Sequence, residues 1–497
     1  MNTRTHPSTT GIPNEDLGEA LLSNDREANL TVNDGVEDET NENSEGEGNE
    51  IDLSRIAMRY SYISVALADM NYSLLIPFFP KAAMEKQLKA GTIGILFAIF
   101  HLISFLTSFI SPKIAKKSVG SNVLMTCNIF LSLSSGLISF TGMLKNPTVF
   151  FVSCLIFRGV QGLLASIIEA SASHLAIKNA QPDEAADTLS MLEGCRTLGT
   201  MAGPILGGVL YKLIGYAGPF IGTSILQAAL ALYMTLYPIK DDQDTHSMDE
   251  GDTRRTSAMK VRLLKSPIVI LTLLNVYILI LGITFIEPTI QPYLSSKPYN
   301  LNEIEVGLLL TFYLLLLGVS AACSSRIVLL LGNIFSLFMG TFMMSSAYFI
   351  MAPPKSHPGP LSLFSSLHQT SGSGAIGLLL CGLVLLSLGG GLCFIPINLL
   401  LVFEGEYLRK NVLETSDAIA GLLNTSFTIG AALGPFLSGI FTGTWGFSRS
   451  CALLGLIIFT FDVTMLITFL GVKFTRFLYK RNATVQQVIT DTQMASS

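Results

Sequence analysis

Residues 199–208 read Gly199-Thr200-Met201-Ala202-Gly203-Pro204-Ile205-Leu206-Gly207-Gly208, and residues 430–439 read Gly430-Ala431-Ala432-Leu433-Gly434-Pro435-Phe436-Leu437-Ser438-Gly439. Each copy carries two glycines four residues apart, with a proline directly after the second. Residues four apart share a helix face. The glycines therefore make a smooth stripe on which a second helix can lie close, and the proline bends the chain by removing a backbone hydrogen bond. Each copy lies in the fifth long apolar stretch of its half of the chain. The same device at the same rank predicts a chain built by repetition, with a ligand site between the two halves near mid-membrane.

Working outward, the apolar stretches fall near 56–79, 92–111, 122–143, 148–176, 187–214 and 218–238, then near 267–294, 304–325, 327–352, 374–402, 415–441 and 450–472. Each is long enough to cross the roughly 30 Å hydrocarbon core of a bilayer. Of the 497 residues 49% are hydrophobic and only 13% charged, with a mean hydropathy of +0.52. A soluble domain carries roughly 25% charged residues. The expectation is an all-α membrane protein of twelve transmembrane helices in two six-helix halves, seated in the lipid bilayer.

The composition excludes several functions. No Walker A sequence is present, so a P-loop pump is excluded. His101, His174 and His368 are isolated, and the seven Cys form no C-x-x-C pair. No enzyme chemistry, catalytic residue, metal site, cofactor or nucleic-acid partner is expected. The state expected is a monomer.

Residues 1–54 hold two Arg and fourteen Asp or Glu, a charge near −12 in a chain whose total is −5. That stretch reads as a disordered acidic tail. The halves are bounded at 55–240 and 267–475, joined by a polar linker at 241–266 and followed by a tail at 476–497. A second polar insert covers 353–374. With the N-terminus in the cytosol, Lys113, Lys116, Lys117, Lys178, Arg254, Arg255, Lys260, Arg262, Lys265, Arg326, Arg409 and Lys410 all fall in cytosolic loops. The opposite loops carry about half as many, which by the positive-inside rule puts both termini in the cytosol.

Charges inside apolar stretches are expensive and normally have a partner or a task. Asp69 lies mid-way in the first stretch, on a face with Tyr62, Ala66 and Ser73. Arg158 and Glu169 lie eleven residues apart on the fourth, about 16 Å along one helix face and too far to pair. Gln161 and Gly162 follow Arg158, which calls for an acid from elsewhere; Asp69 is a candidate, and a purely structural ion pair is the other reading. Glu193 and Arg196, three apart, can pair locally. Glu287 precedes Pro288, where a lost hydrogen bond can open the backbone, and Thr284 and Gln291 share its face. Asp462 in the last helix is expected to turn inward or toward Thr460 or Thr464. Several carboxylates with no matching free base suggest a pocket for cations and protons.

Arg158-x-x-Gln161-Gly162 in the fourth helix and the glycine-proline motif of the fifth together resemble the major facilitator superfamily. Ile76-Pro77-Phe78-Phe79-Pro80-Lys81, Leu192-Glu193, Gly207-Gly208-Val209-Leu210-Tyr211, Gly215-Tyr216 and Phe285-Ile286-Glu287-Pro288-Thr289 are similar to the vesicular amine transporter family, in its polyamine-transporter-like branch. The resemblance covers residues 56–475. It implies the two-half fold and exchange of lumenal protons for a cytosolic small organic cation in secretory or other acidic vesicles. The plasma membrane is the alternative location. Two features depart from the family. The loop Ser111–Gly120 lacks the acidic residue of the Gly-x-x-x-Asp-Arg-x-Gly-Arg pattern. The tenth- and eleventh-helix acids of monoamine carriers fall at Gly391 and near Asn424, both uncharged, which argues against a monoamine. The substrate- and proton-binding residues expected are thus Asp69, Arg158, Glu169, Glu193, Glu287 and Asn424. A carrier of another small organic solute, by uniport or symport, and a non-transporting receptor or scaffold stay open.

Overall fold

The computed structural model describes residues 36–117, 120–181, 184–239, 258–297, 299–351, 372–407 and 412–495. Most of the linker, nearly all of the 353–374 insert and the first 35 residues lie outside the described residues. The chain up to Ile56 forms a unit separate from the bundle of Ala57–Ser497, and the bundle carries everything below.

Among the described residues twelve long helices follow one another: α1 Val36–Ser73, α2 Ala90–Ser108, α3 Gly120–Ser139, α4 Pro147–Lys178, α5 Ala185–Ile214, α6 Ala217–Leu236, α7 Pro267–Phe285, α8 Glu303–Leu331, α9 Asn333–Met351, α10 Gly372–Tyr407, α11 Val412–Trp445 and α12 Phe447–Ala495. Eleven are long and apolar enough to cross a membrane. Helix α1 falls short of that measure because its inward stripe is polar: Ser61, Ser64, Asn71 and Ser73 are all buried. Helices α1 and α12 also run on into stretches that the sequence assigns to the tails. A helix already nucleated adds further turns at little cost.

The glycine-proline motifs leave no room for a side chain, and they do so twice. A Cβ on Gly203 would collide with Ser73 Oγ, and one on Gly434 with Thr284 Oγ1. A Cβ on Gly199 would meet the Ala66 carbonyl, and one on Gly430 that of Tyr277. Helix α5 therefore crosses α1 as α11 crosses α7. The seams between halves repeat in the same way. A Cβ on Gly94 of α2 would meet the Pro435 carbonyl, and one on Gly307 of α8 that of Pro204. A Cβ on Gly439 would meet the Ala90 carbonyl, as one on Gly208 would meet that of Glu303. A Cβ on Gly207 would meet the Leu74 carbonyl. Counterparts are offset by 231 residues between α5 and α11 throughout (199 to 430, 203 to 434, 208 to 439). The expected repeat is present at single-residue resolution.

Other features share the symmetry. Gly215 and Gly446, at φ 85° and 80°, turn α5 into α6 and α11 into α12. Helix α1 ends at Ser73 and α7 at Phe285, and each gives way to turns and a short helix, Phe79–Glu85 and Ile290–Leu294. Pro77 and Pro288 lie in those breaks, where a lost backbone donor ends the helix.

This packing predicts the effect of adding one side chain. Gly203→Val is expected to cost about 1–3 kcal/mol by overpacking, read as a lower thermal midpoint in detergent. Gly318→Ala, where nothing lies within 4 Å of the added carbon, should leave the midpoint unchanged or raised. Equal midpoints for the two variants would contradict the packing argument.

Candidate functional site

A polar cleft opens between the halves where α1, α2, α4, α5 and α11 converge, lined by Asp69, His101, Glu169, Arg196, Phe427 and Thr428 among others. Arg196 is its hub. Its Nε donates to Asp69 Oδ2 at 2.7 Å, and its Nη1 donates to Glu169 Oε1 at 2.8 Å. Glu193 Oε1 lies 3.6 Å from Nη1. A guanidinium can do this because it presents five N–H groups in a planar fork. Its carbon also lies 5.9 Å from the centre of the Phe427 ring, within cation–π range. Phe427 is 231 residues beyond Arg196, so the two occupy equivalent places in the repeats and face each other across the cleft.

Two sequence expectations are corrected here. The pocket acids do have a base among them: Arg196 serves α1 and α4 as well as Glu193 on its own helix. Arg158 does not pair with Asp69. It is almost fully buried and donates to Gln161 Oε1 at 2.9 Å, with its guanidinium carbon 5.3 Å from the Tyr72 ring and 4.7 Å from that of Phe100. Arg196 already occupies Asp69.

Glu287 stands apart from this cluster. It lies in the break after α7, its N–H donating to the Thr284 carbonyl at 3.2 Å, as expected of the residue before Pro288. The Tyr72 hydroxyl of α1 donates to its carboxylate, tying one half to the other. Gln161 and Asn71 both donate to Ser135 Oγ, at 3.3 and 2.6 Å, and the His101 ring lies 4.4 Å from that of Tyr72. Among the described residues, Arg158 Nε and Nη2, His101 Nε2 and the Tyr313 hydroxyl are buried without a hydrogen-bond partner. Unpaired buried donors are costly, and these gather around the Tyr72–Glu287 tie.

The remaining predicted residues divide between lining and packing. Asn424 is exposed on α11, one turn before Phe427 and Thr428, and is the repeat counterpart of Glu193. A Cβ on Gly162 would collide with the Phe100 carbonyl, which makes it a packing position. One on Gly391 would collide with Ser320 Cβ. Asp462 turns inward as expected, but its hydrogen bond comes from Thr341 on α9, not from Thr460 or Thr464. Their hydroxyls donate instead to carbonyls of their own helix. The sequence reading missed Tyr72, His101 and the wider reach of Arg196. Tyr72 carried a signal, since it follows Asp69 by three on the same helix.

Both inter-half seams lie where α2 and α8 begin, and Lys81 Nζ adds an ion pair to Glu303 Oε1 there at 2.7 Å. The Glu193 side chain, by contrast, is 68% exposed. The seams and this ion pair close the bundle at the end where α2 and α8 begin. The hydrogen bond to the Glu303 carboxylate holds the Lys81 ammonium above the ordinary lysine range. The pair is therefore intact at neutral pH and is lost as pH rises through that raised value or as acid protonates the Glu303 carboxylate. It is partly exposed, and such pairs contribute about 0–1 kcal/mol. Lys81→Ala should raise the population open at the sealed end by up to about fivefold. A membrane-impermeant thiol reagent acting on an A90C background would report this, and an unchanged labelling rate would count against a latch.

A two-repeat membrane bundle with a polar cleft on its pseudo-symmetry axis is the architecture of secondary transporters, not of enzymes. The chain belongs to the major facilitator superfamily: the profile described as "Major Facilitator Superfamily" matches residues 61–406. It is similar to the rat "MFS-type transporter SLC18B1", 28% identical over 422 residues, covering 81% of this chain and 85% of the relative. The human protein of the same name is 29% identical over 410 residues, covering 80% and 82%. Among solved structures, a bacterial homologue of the human lysosomal transporter Spinster superposes with a TM-score of 0.64 at 12% identity, covering 84% of this chain and 98% of that one. That likeness concerns the fold.

Proposed function

We propose that this chain is a proton-coupled antiporter that moves an organic cation, a polyamine first, into acidic vesicles. The observation that carries the reading is the set of carboxylates from α1, α4 and α5 on the wall of the cleft around a single guanidinium. With Glu287 and Arg158 included, four carboxylates face two arginines, so the ionised site has a formal charge of −2 and attracts cations. Asp69, Glu169 and Glu193 form the cation-binding wall, with Arg196 among them. Glu287, in the helix break and tied to Tyr72, is the proton-carrying group, and Arg158 is its counter-charge. Asn424 lies one turn before Phe427 and Thr428, which line the opposite wall. Likeness to SLC18B1 transporters and the motifs shared with vesicular amine carriers support the same cargo class. The positive-inside bias supports a cytosolic position for the end of the bundle away from the Lys81–Glu303 pair. A scaffold gains nothing from so many intramembrane acids, which weighs against a non-transporting role.

Uptake of labelled putrescine or spermidine into proteoliposomes with an acidic interior tests the proposal. Uptake that is abolished by a proton ionophore is expected. Uptake insensitive to the ionophore would point to uniport. No uptake of any amine would overturn the cargo assignment.

A further inference from the structure

Arg196 is an odd residue to find in a cation site, because it fills part of the charge the site offers. Its reach is specific. It holds Asp69 at 2.7 Å and Glu169 at 2.8 Å, comes within 3.6 Å of Glu193, and lies over the face of Phe427. The second repeat has no equivalent charge: Phe427 takes the place of Arg196, and Asn424 takes that of Glu193. The surplus negative charge of the cleft therefore belongs to one wall, and it equals three carboxylates less one guanidinium.

We infer that Arg196 sets the valence of the cargo, tuning the cluster of Asp69, Glu169 and Glu193 to an organic dication. The inference rests on the amine-carrier reading of the same cleft. A cluster of formal charge −2 is neutralised by a molecule with two ammonium groups. A monoamine leaves one carboxylate uncompensated, and a triamine brings one charge too many. Either mismatch leaves a charge unpaired, and the penalty is largest at the least exposed acid, Asp69. Phe100 and Phe427 line the same cleft and offer apolar surface to the methylene chain between the ammonium groups.

Each single change of charge at the cluster should then move the preference by one step. Arg196→Gln takes the cluster to −3 and should favour a triamine. Glu193→Gln takes it to −1 and should favour a monoamine. Glu193 is well exposed, so its variant tests the idea even if the Arg196 variant fails to fold. The experiment measures the binding of butylamine, putrescine and spermidine to the purified full-length chain by their effect on the thermal midpoint. The parent should prefer putrescine, R196Q spermidine and E193Q butylamine, each by at least tenfold in apparent Kd over its ranking in the parent. An unchanged order across the three proteins overturns the inference and leaves the amine-carrier reading standing. A shifting order without proton-driven uptake of putrescine or spermidine leaves the inference standing and overturns that reading. No stabilisation by any amine overturns both.

Discussion

Glu287→Gln should abolish uptake driven by a pH gradient, by about a hundredfold or more, while exchange of labelled for unlabelled cargo continues. The geometry separates the two activities. Glutamine matches glutamate in size and its amide oxygen still accepts the hydrogen bond from Tyr72, so the tie between halves survives. What disappears is a site that can be charged or neutral. A hundredfold loss corresponds to about 2.7 kcal/mol, well within the cost of an uncompensated charge in a buried site. Arg158 would be left without its counter-charge, so the variant should also show a lower thermal midpoint. Tyr72→Phe is the complementary change: it keeps the carboxyl and removes the donor, so gradient-driven uptake should fall without vanishing. Full gradient-driven uptake by E287Q would remove Glu287 from the coupling mechanism.

Arg196→Ala should leave no measurable transport and should destabilise the protein by roughly 1–3 kcal/mol, between the values for exposed and for buried ion pairs. Asp69, Glu169 and Glu193 come from three helices, and the guanidinium is what allows them to lie close together. Without it, like charges repel across the crossing of α1, α4 and α5. Acid should relieve the defect. Protonation of the carboxylates removes the repulsion, so the thermal midpoints of variant and parent should converge as pH falls. A deficit that stays constant with pH would mean that Arg196 acts by packing against Phe427 and not by its charge.

Much of this was legible before any coordinates. Apolar stretches long enough to span a bilayer can hardly be anything else, and glycines spaced by four announce a helix contact without naming the partner. The repeat was therefore plain from Gly199-x-x-x-Gly203-Pro204 and Gly430-x-x-x-Gly434-Pro435. Which residues those glycines would meet was not, because Ser73 and Thr284 are far away in sequence. The site was legible as a list of charges and not as pairs. Spacing along one helix reveals Glu193 beside Arg196, but not Asp69 or Glu169 reaching the same guanidinium from other helices. The suggested pairing of Arg158 with Asp69 failed for this reason: a nearer base, on a helix the spacing could not locate, had taken the carboxylate. His101 looked isolated because its neighbour, Tyr72, lies on a different helix.

The paired seams separate mechanics from chemistry. Gly94 on Pro435 and Gly307 on Pro204 act as matched pivots, set on opposite sides of a common axis and made from main-chain contacts that depend on little beyond the lack of a side chain. The floor between the pivots has no such constraint. There the two repeats differ freely, an arginine standing where its counterpart is a phenylalanine and a glutamate where its counterpart is an asparagine. A carrier framed in this way can be refitted for a new passenger while its door swings on the same hinges.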